Sequence, residues 1–106
     1  MSNLSDLELA FHERMLQVYE QARSECGYTA TRFLQMVATQ GGVVAAKRLL
    51  GGATYSEGLT RLWEEKRLDI SMEAVVLQEP WRVLFTEREL GIAENRLREL
   101  GYFSDG

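Results

Sequence analysis

Proline and cysteine each occur once in the 106 residues, and histidine is equally rare. A lone Pro80 excludes a proline-rich linker and argues against a strand-and-turn architecture, which needs frequent punctuation. Cys26 alone cannot form an internal disulfide, and it reads as a reduced, partly buried small hydrophobe near a helix end. One histidine and one cysteine, fourteen positions apart, cannot furnish the four ligands of a structural zinc. No stretch approaches the ~20 apolar residues of a membrane span, and Met1 to Asp6 lacks the basic start and apolar run of a secretion signal. The expectation is a cytoplasmic protein with no membrane partner.

A basic excess is also missing. Twelve Lys and Arg against sixteen Asp and Glu give a net charge of -4, which disfavours non-specific attraction to nucleic acid or anionic lipid. The acids are unevenly spread, however. From Cys26 to Ser56 there is none, while Arg32, Lys47 and Arg48 fall inside that block.

What is present is helical periodicity. Hydrophobic residues at 45% and charged ones at 26% suit one globular core, so residues 1–106 are expected to form a single domain, with 1–3 and 104–106 as frayed ends. Leu4, Leu7, Phe11, Met15, Val18 and Ala22 recur at steps of three and four, the pattern of one buried helical face. Ser5 and Glu8 have capping-box spacing at its start, and Gly27 is its natural stop. A second helix is expected from Thr29 to Thr39 on Phe33, Leu34 and Val37, broken by Gly41-Gly42. A third runs from Val43 to Leu50 and ends at Gly51-Gly52.

Ser56 can cap a fourth helix that carries Leu59, Leu62 and Trp63 inward. Asp69 or Ser71 starts a fifth through Met72, Val75, Val76 and Leu77, with its end set by Pro80. Thr86-Glu87-Arg88-Glu89 is a full capping box ahead of Leu90, Ala93, Leu97 and Leu100, and Gly101 closes that last helix. The fold class expected is all-α, a compact bundle of five to six helices.

Chemistry is sparse. His12 has no serine or cysteine in helical register to activate as a nucleophile, and it reads as a histidine at the edge of solvent. Glu64, Glu65, Asp69 and Glu73 cluster in sequence and could hold magnesium as a small hydrolase or nuclease. The interleaved Arg61, Lys66 and Arg67 also make them an ordinary solvated face. Trp63, Trp81, Phe85 and Tyr102 could stack bases, but their spacing follows apolar helix faces.

Gly41 and Gly42, ahead of a helix bearing Lys47 and Arg48, form the kind of arrangement that binds an anion. Gly42-Val43-Val44-Ala45-Ala46-Lys47-Arg48-Leu49 resembles the second half of a helix-hairpin-helix motif, in which glycine is followed four residues later by alanine and three after that by an aliphatic residue. That resemblance implies a grip on the DNA backbone through Gly41, Gly42, Arg32, Lys47 and Arg48, although Gln40 stands where the motif has its first glycine. The plain alternative is a tight turn between packed helices.

A longer resemblance covers Tyr28 to Tyr102. Phe33-Leu34-Gln35-Met36-Val37, Gly41-Gly42-Val43-Val44-Ala45-Ala46-Lys47-Arg48-Leu49-Leu50, Gly58-Leu59-Thr60-Arg61-Leu62-Trp63-Glu64, Arg67-Leu68-Asp69-Ile70-Ser71-Met72-Glu73 and Leu84-Phe85-Thr86-Glu87 resemble the landmarks of a small helical bacterial module. That module stands alone or is attached to larger proteins, some linked to restriction or phage defence. The resemblance implies a non-enzymatic protein-interaction module, an accessory or regulatory subunit of an anti-phage system. It brings no catalytic, cofactor or metal-binding residues. The partner expected is another protein or a second copy of the chain, with nucleic acid as the alternative.

Overall fold

The apolar register that starts at Leu4 propagates for six turns, and α1 spans Asn3–Cys26 in the computed structural model, which describes residues 3–52 and 57–103. Ser5 therefore lies inside the helix rather than at its cap, a correction to the capping-box reading. Helix propagation is cheap once a turn exists, so the residues ahead of Ser5 join. Phe11, Met15, Val18 and Ala22 are buried along one face, as the spacing requires. Gly27 at φ +67° ends the helix, with its N–H donated to the Arg23 carbonyl.

The remaining helices are α2 (Thr31–Gln40), α3 (Gly42–Leu50), α4 (Glu57–Glu64), α5 (Met72–Val76) and α6 (Glu87–Glu99), with single 3-10 turns at Leu68–Ile70 and Trp81–Leu84. No strand occurs among the described residues. The protein is all-α, a compact six-helix bundle. Phe11, Met15, Val37, Ala45, Ala46, Leu50, Val75, Val76 and Ala93 join five of those helices in the main core. Phe11 meets both Trp81 and Phe85 edge to face, with ring centroids 5.7 and 5.3 Å away.

Several boundaries moved for local reasons. Only Gly41, at φ +91°, breaks the chain between α2 and α3, and Gly42 is the first residue of α3. Ser71, not Asp69, caps α5, its hydroxyl accepting the Ala74 N–H at 3.1 Å. That helix stops at Val76, four residues before Pro80, so Pro80 does not set its end. The expected Ser56 cap and the C-terminal frayed end lie outside the described residues, as do Met1 and Ser2. Asn3, expected to fray, is helical. No described helix is long and apolar enough to cross a membrane.

Thr86 opens α6 with the predicted box. Its hydroxyl accepts the Glu89 N–H at 3.1 Å, and its own N–H donates to the Glu89 carboxylate at 2.9 Å. α6 and α4 end in the same way. Tyr102 N–H donates to Leu97 O and Gly101 N–H to Arg98 O, while Arg67 N–H donates to Leu62 O and Lys66 N–H to Trp63 O. Both are Schellman closures, which need a left-handed residue. Gly101 supplies it at φ +85°, but at α4 the position is taken by Lys66 at φ +61°.

Candidate functional site

These two closures bring α4 and α6 to a common surface. Leu59 and Leu62 occupy the inward face of α4. Trp63 follows Leu62 about 100° further round the helix axis and points out, 46% exposed, which corrects its assignment to the core. Tyr102 leaves the end of α6 40% exposed, and Phe103 beside it is 44% exposed. Their rings meet edge to face at 5.2 Å. Trp63 and Tyr102 share the wall of a hollow of about 290 Å³ with Leu68 and Leu100, and Lys66 and Asp69 stand at its edge. Three exposed aromatics at one end are an unusual surface when the other described rings are buried or half-buried; lone exposed apolar residues such as Leu9 and Val83 are ordinary.

The base-stacking set therefore divides. Phe85 is buried and Trp81 half-buried against Phe11, so both serve the core, and only Trp63 and Tyr102 reach the surface.

His12 is half-buried, at the edge of solvent as expected, but it also has a structural partner. Its Nδ1 accepts the Gly42 N–H at 3.0 Å, thirty residues along the chain, so α1 supplies the missing cap of α3. An Nδ1 that accepts carries no proton. Gly42 is buried against α1 so closely that a Cβ there would stand 2.6 Å from the His12 Cα. The Gly41 N–H donates to Val37 O. Both amides of the candidate anion cradle are thus donated within the chain. Lys47 is occupied too, paired with Glu89 at 2.7 Å and lying 5.2 Å from the centre of the Phe85 ring. Arg32 and Arg48 are exposed and have no ion-pair partner among the described residues.

Glu89 carries two duties, the Thr86 cap and the Lys47 pair. Partial burial pushes its carboxyl up, but the Lys47 ammonium and the Thr86 donors outweigh that and hold it below its ordinary value.

The four acidic residues do not converge. Glu65 pairs with Arg61 at 3.6 Å and Asp69 with Arg67 at 3.1 Å, both at the surface. Arg67 also reaches Glu25 at 2.7 Å, fastening the turn after α4 to α1. Glu73 is buried in α5 and pairs with Arg96 of α6 at 3.3 Å. Burial pushes the Glu73 carboxyl up, partly offset by its own backbone N–H and by Arg96. Among the described residues no three His, Cys, Asp or Glu side chains group as a metal site.

Arg96 was not anticipated. Its guanidinium donates to the carbonyls of Leu49, Leu50 and Gly52 at 3.0, 3.3 and 2.9 Å, closing the C-terminus of α3 where the helix dipole favours a cation. A signal existed in the sequence: Arg96 lies three residues after Ala93 and four before Leu100, on the inward register of its helix.

Cys26 ends α1 half-buried against the Ala22, Leu62 and Ile70 cluster, as expected for a small hydrophobe. Burial raises its thiol pKa, so the reactive thiolate is disfavoured. Comparison of the chain with family models, curated proteins and solved structures returns no match.

Proposed function

We propose that the protein is a non-enzymatic interaction module that binds a protein partner through Trp63, Tyr102 and Phe103. The observation that carries this reading is the exposed aromatic cluster around the hollow at the ends of α4 and α6. Tryptophan and tyrosine hold large contact area at little entropic cost, and such anchors dominate binding energy at interfaces. Lys66 and Asp69 at the edge provide charges of both signs for a polar rim. The resemblance of Tyr28–Tyr102 to a bacterial module supports a place as accessory or regulatory subunit of a cytoplasmic anti-phage system.

The experiment compares affinity capture from a bacterial host using the parent, Trp63→Ser and Tyr102→Ser. Partners recovered by the parent and lost with both variants support the reading, provided each variant keeps the parent's circular dichroism and melting temperature. Equal recovery by all three would overturn it.

A DNA-binding reading keeps Arg32 and Arg48 as exposed cations of the acid-free block, but Gly41, Gly42 and Lys47 already have partners in the chain. It requires salt-sensitive retardation of duplex DNA that Arg32→Ala with Arg48→Ala abolishes.

A further inference from the structure

The acid-free block also lines a second hollow, separate from the aromatic face. Between α2, α4 and α5 is a cavity of about 470 Å³, within the ~300–1,000 Å³ usual for small-molecule sites. Phe33 and Met36 of α2, Leu49 of α3, Leu59 and Leu62 of α4, and Met72 of α5 make its walls apolar. The two thioethers, Met36 and Met72, give a surface that adapts to flexible chains. The floor asks for no polar partner. The Ser71 hydroxyl donates to Leu68 O at 2.7 Å and accepts from Ala74, and Glu73 is held by Arg96.

The mouth carries charge of both signs, from Arg32 and Glu57. Arg32 stands there exposed, with no ion-pair partner among the described residues. Arg61 lies 5.5 Å from the centre of the Tyr28 ring, which also lines the mouth. Glu57 stands on the rim as well, and Arg61 is already paired with Glu65 at 3.6 Å. α2 begins at the same rim with no side-chain cap on its first turn, so its dipole adds to the positive potential.

We propose that this cavity binds an anionic single-chain amphiphile of fatty-acid type, with the acyl tail between α2, α4 and α5 and the carboxylate at Arg32. An apolar interior with Arg32 and the N-terminus of α2 at its mouth matches that division of the ligand. A cationic head would meet Arg32, and a short anion would leave the interior empty.

The test titrates dodecanoate, below its micelle concentration, into the intact chain by calorimetry, with dodecanol and dodecyltrimethylammonium as probes of the tail and of the charge. Dodecanoate is expected to saturate at one per chain and to raise the melting temperature. Arg32→Gln is expected to weaken dodecanoate about three- to fivefold, the range of a solvent-facing ion pair, while dodecanol is unaffected. Met36→Trp fills the cavity and abolishes binding of both, and Leu49→Phe replaces it if that variant fails to fold. Trp63→Ser leaves dodecanoate binding unchanged, which separates this site from the protein-contact face.

A second arm presents the acid in phosphatidylcholine vesicles. Binding of the free acid alone assigns a soluble source, and binding only to loaded vesicles assigns a membrane source; each keeps the site. No saturable binding in either arm overturns the proposal, as does tighter binding of the ammonium amphiphile or undiminished binding by a folded, cavity-filled variant.

Discussion

Gly42→Ala tests the close approach of α3 to α1. A methyl at Gly42 would lie 2.6 Å from the His12 Cα, 3.2 Å from its backbone N and 3.3 Å from the Met15 Cγ. Carbon atoms pack best at roughly 3.5–4.0 Å, so about 1 Å of separation must be found. The obstacle is the backbone of α1, which cannot rotate away as a side chain would. α3 must therefore retreat, at the cost of about 1–3 kcal/mol typical of overpacking. Retreat also stretches the 3.0 Å bond from Gly42 N–H to His12 Nδ1, a contribution of about 0.5–1.5 kcal/mol. The gain from replacing glycine in a helix offsets about 0.5–1 kcal/mol. The net expectation is a loss of about 2–3 kcal/mol, or roughly 10–20 °C in Tm for a domain of this size. Urea and thermal unfolding followed by circular dichroism measure it. Gly91→Ala is the matched control: it lies inside α6 with nothing within 4 Å of the added methyl, and should stabilise by about 0.5–1 kcal/mol. Parallel behaviour of the two variants would refute the close packing of α1 on α3.

Other expectations follow from the same geometry. Arg96→Met leaves Glu73 buried without its counter-ion and takes the guanidinium donors from the carbonyls of Leu49, Leu50 and Gly52, and should cost about 3–5 kcal/mol in urea unfolding. Lys66→Gly relieves a left-handed backbone at φ +61° and should add about 1 kcal/mol, read from the same transition. The carboxyl of Glu89 is depressed in the folded state, so its stabilisation is full above the ordinary carboxylate range and is lost as pH falls through its folded pKa. Unfolding midpoints measured from neutral pH downward should therefore drop less steeply in Glu89→Gln than in the parent. Glu73 has the opposite sign, its raised carboxyl favouring the fold on the acid side, so Glu73→Gln should steepen that drop.

The sequence revealed the elements whose signals are local. The α1 stripe and the Thr86 box depend on spacings of three and four residues, which a single chain displays directly. Contacts between distant segments were less legible. Nothing near His12 announces that it caps a helix thirty residues away. Trp63 adjoins Leu62 in an apolar pattern, yet it points out because Leu59 and Leu62 already fill the inward arc of a two-turn helix. Sequence proximity likewise joined Glu73 to Glu64, Glu65 and Asp69, although the cap at Ser71 begins a new helix and turns Glu73 into the core.

Those distant contacts explain why the acid-free block looks like a binding motif without presenting its amides as one. α3 is fixed at its start by an imidazole from α1 and at its end by a guanidinium from α6. An acceptor at a helix N-terminus and a cation at its C-terminus both oppose the helix dipole, so the two side chains stabilise α3 in one orientation only. Gly42 is needed for close approach, and Lys47 for its pair with Glu89. Glycine and lysine at anion-site spacing thus have a structural cause in this bundle. Beside the cavity, the block's cation with no ion-pair partner among the described residues is Arg32, and the recognition proposed there rests on the apolar walls behind it rather than on Gly41 and Gly42.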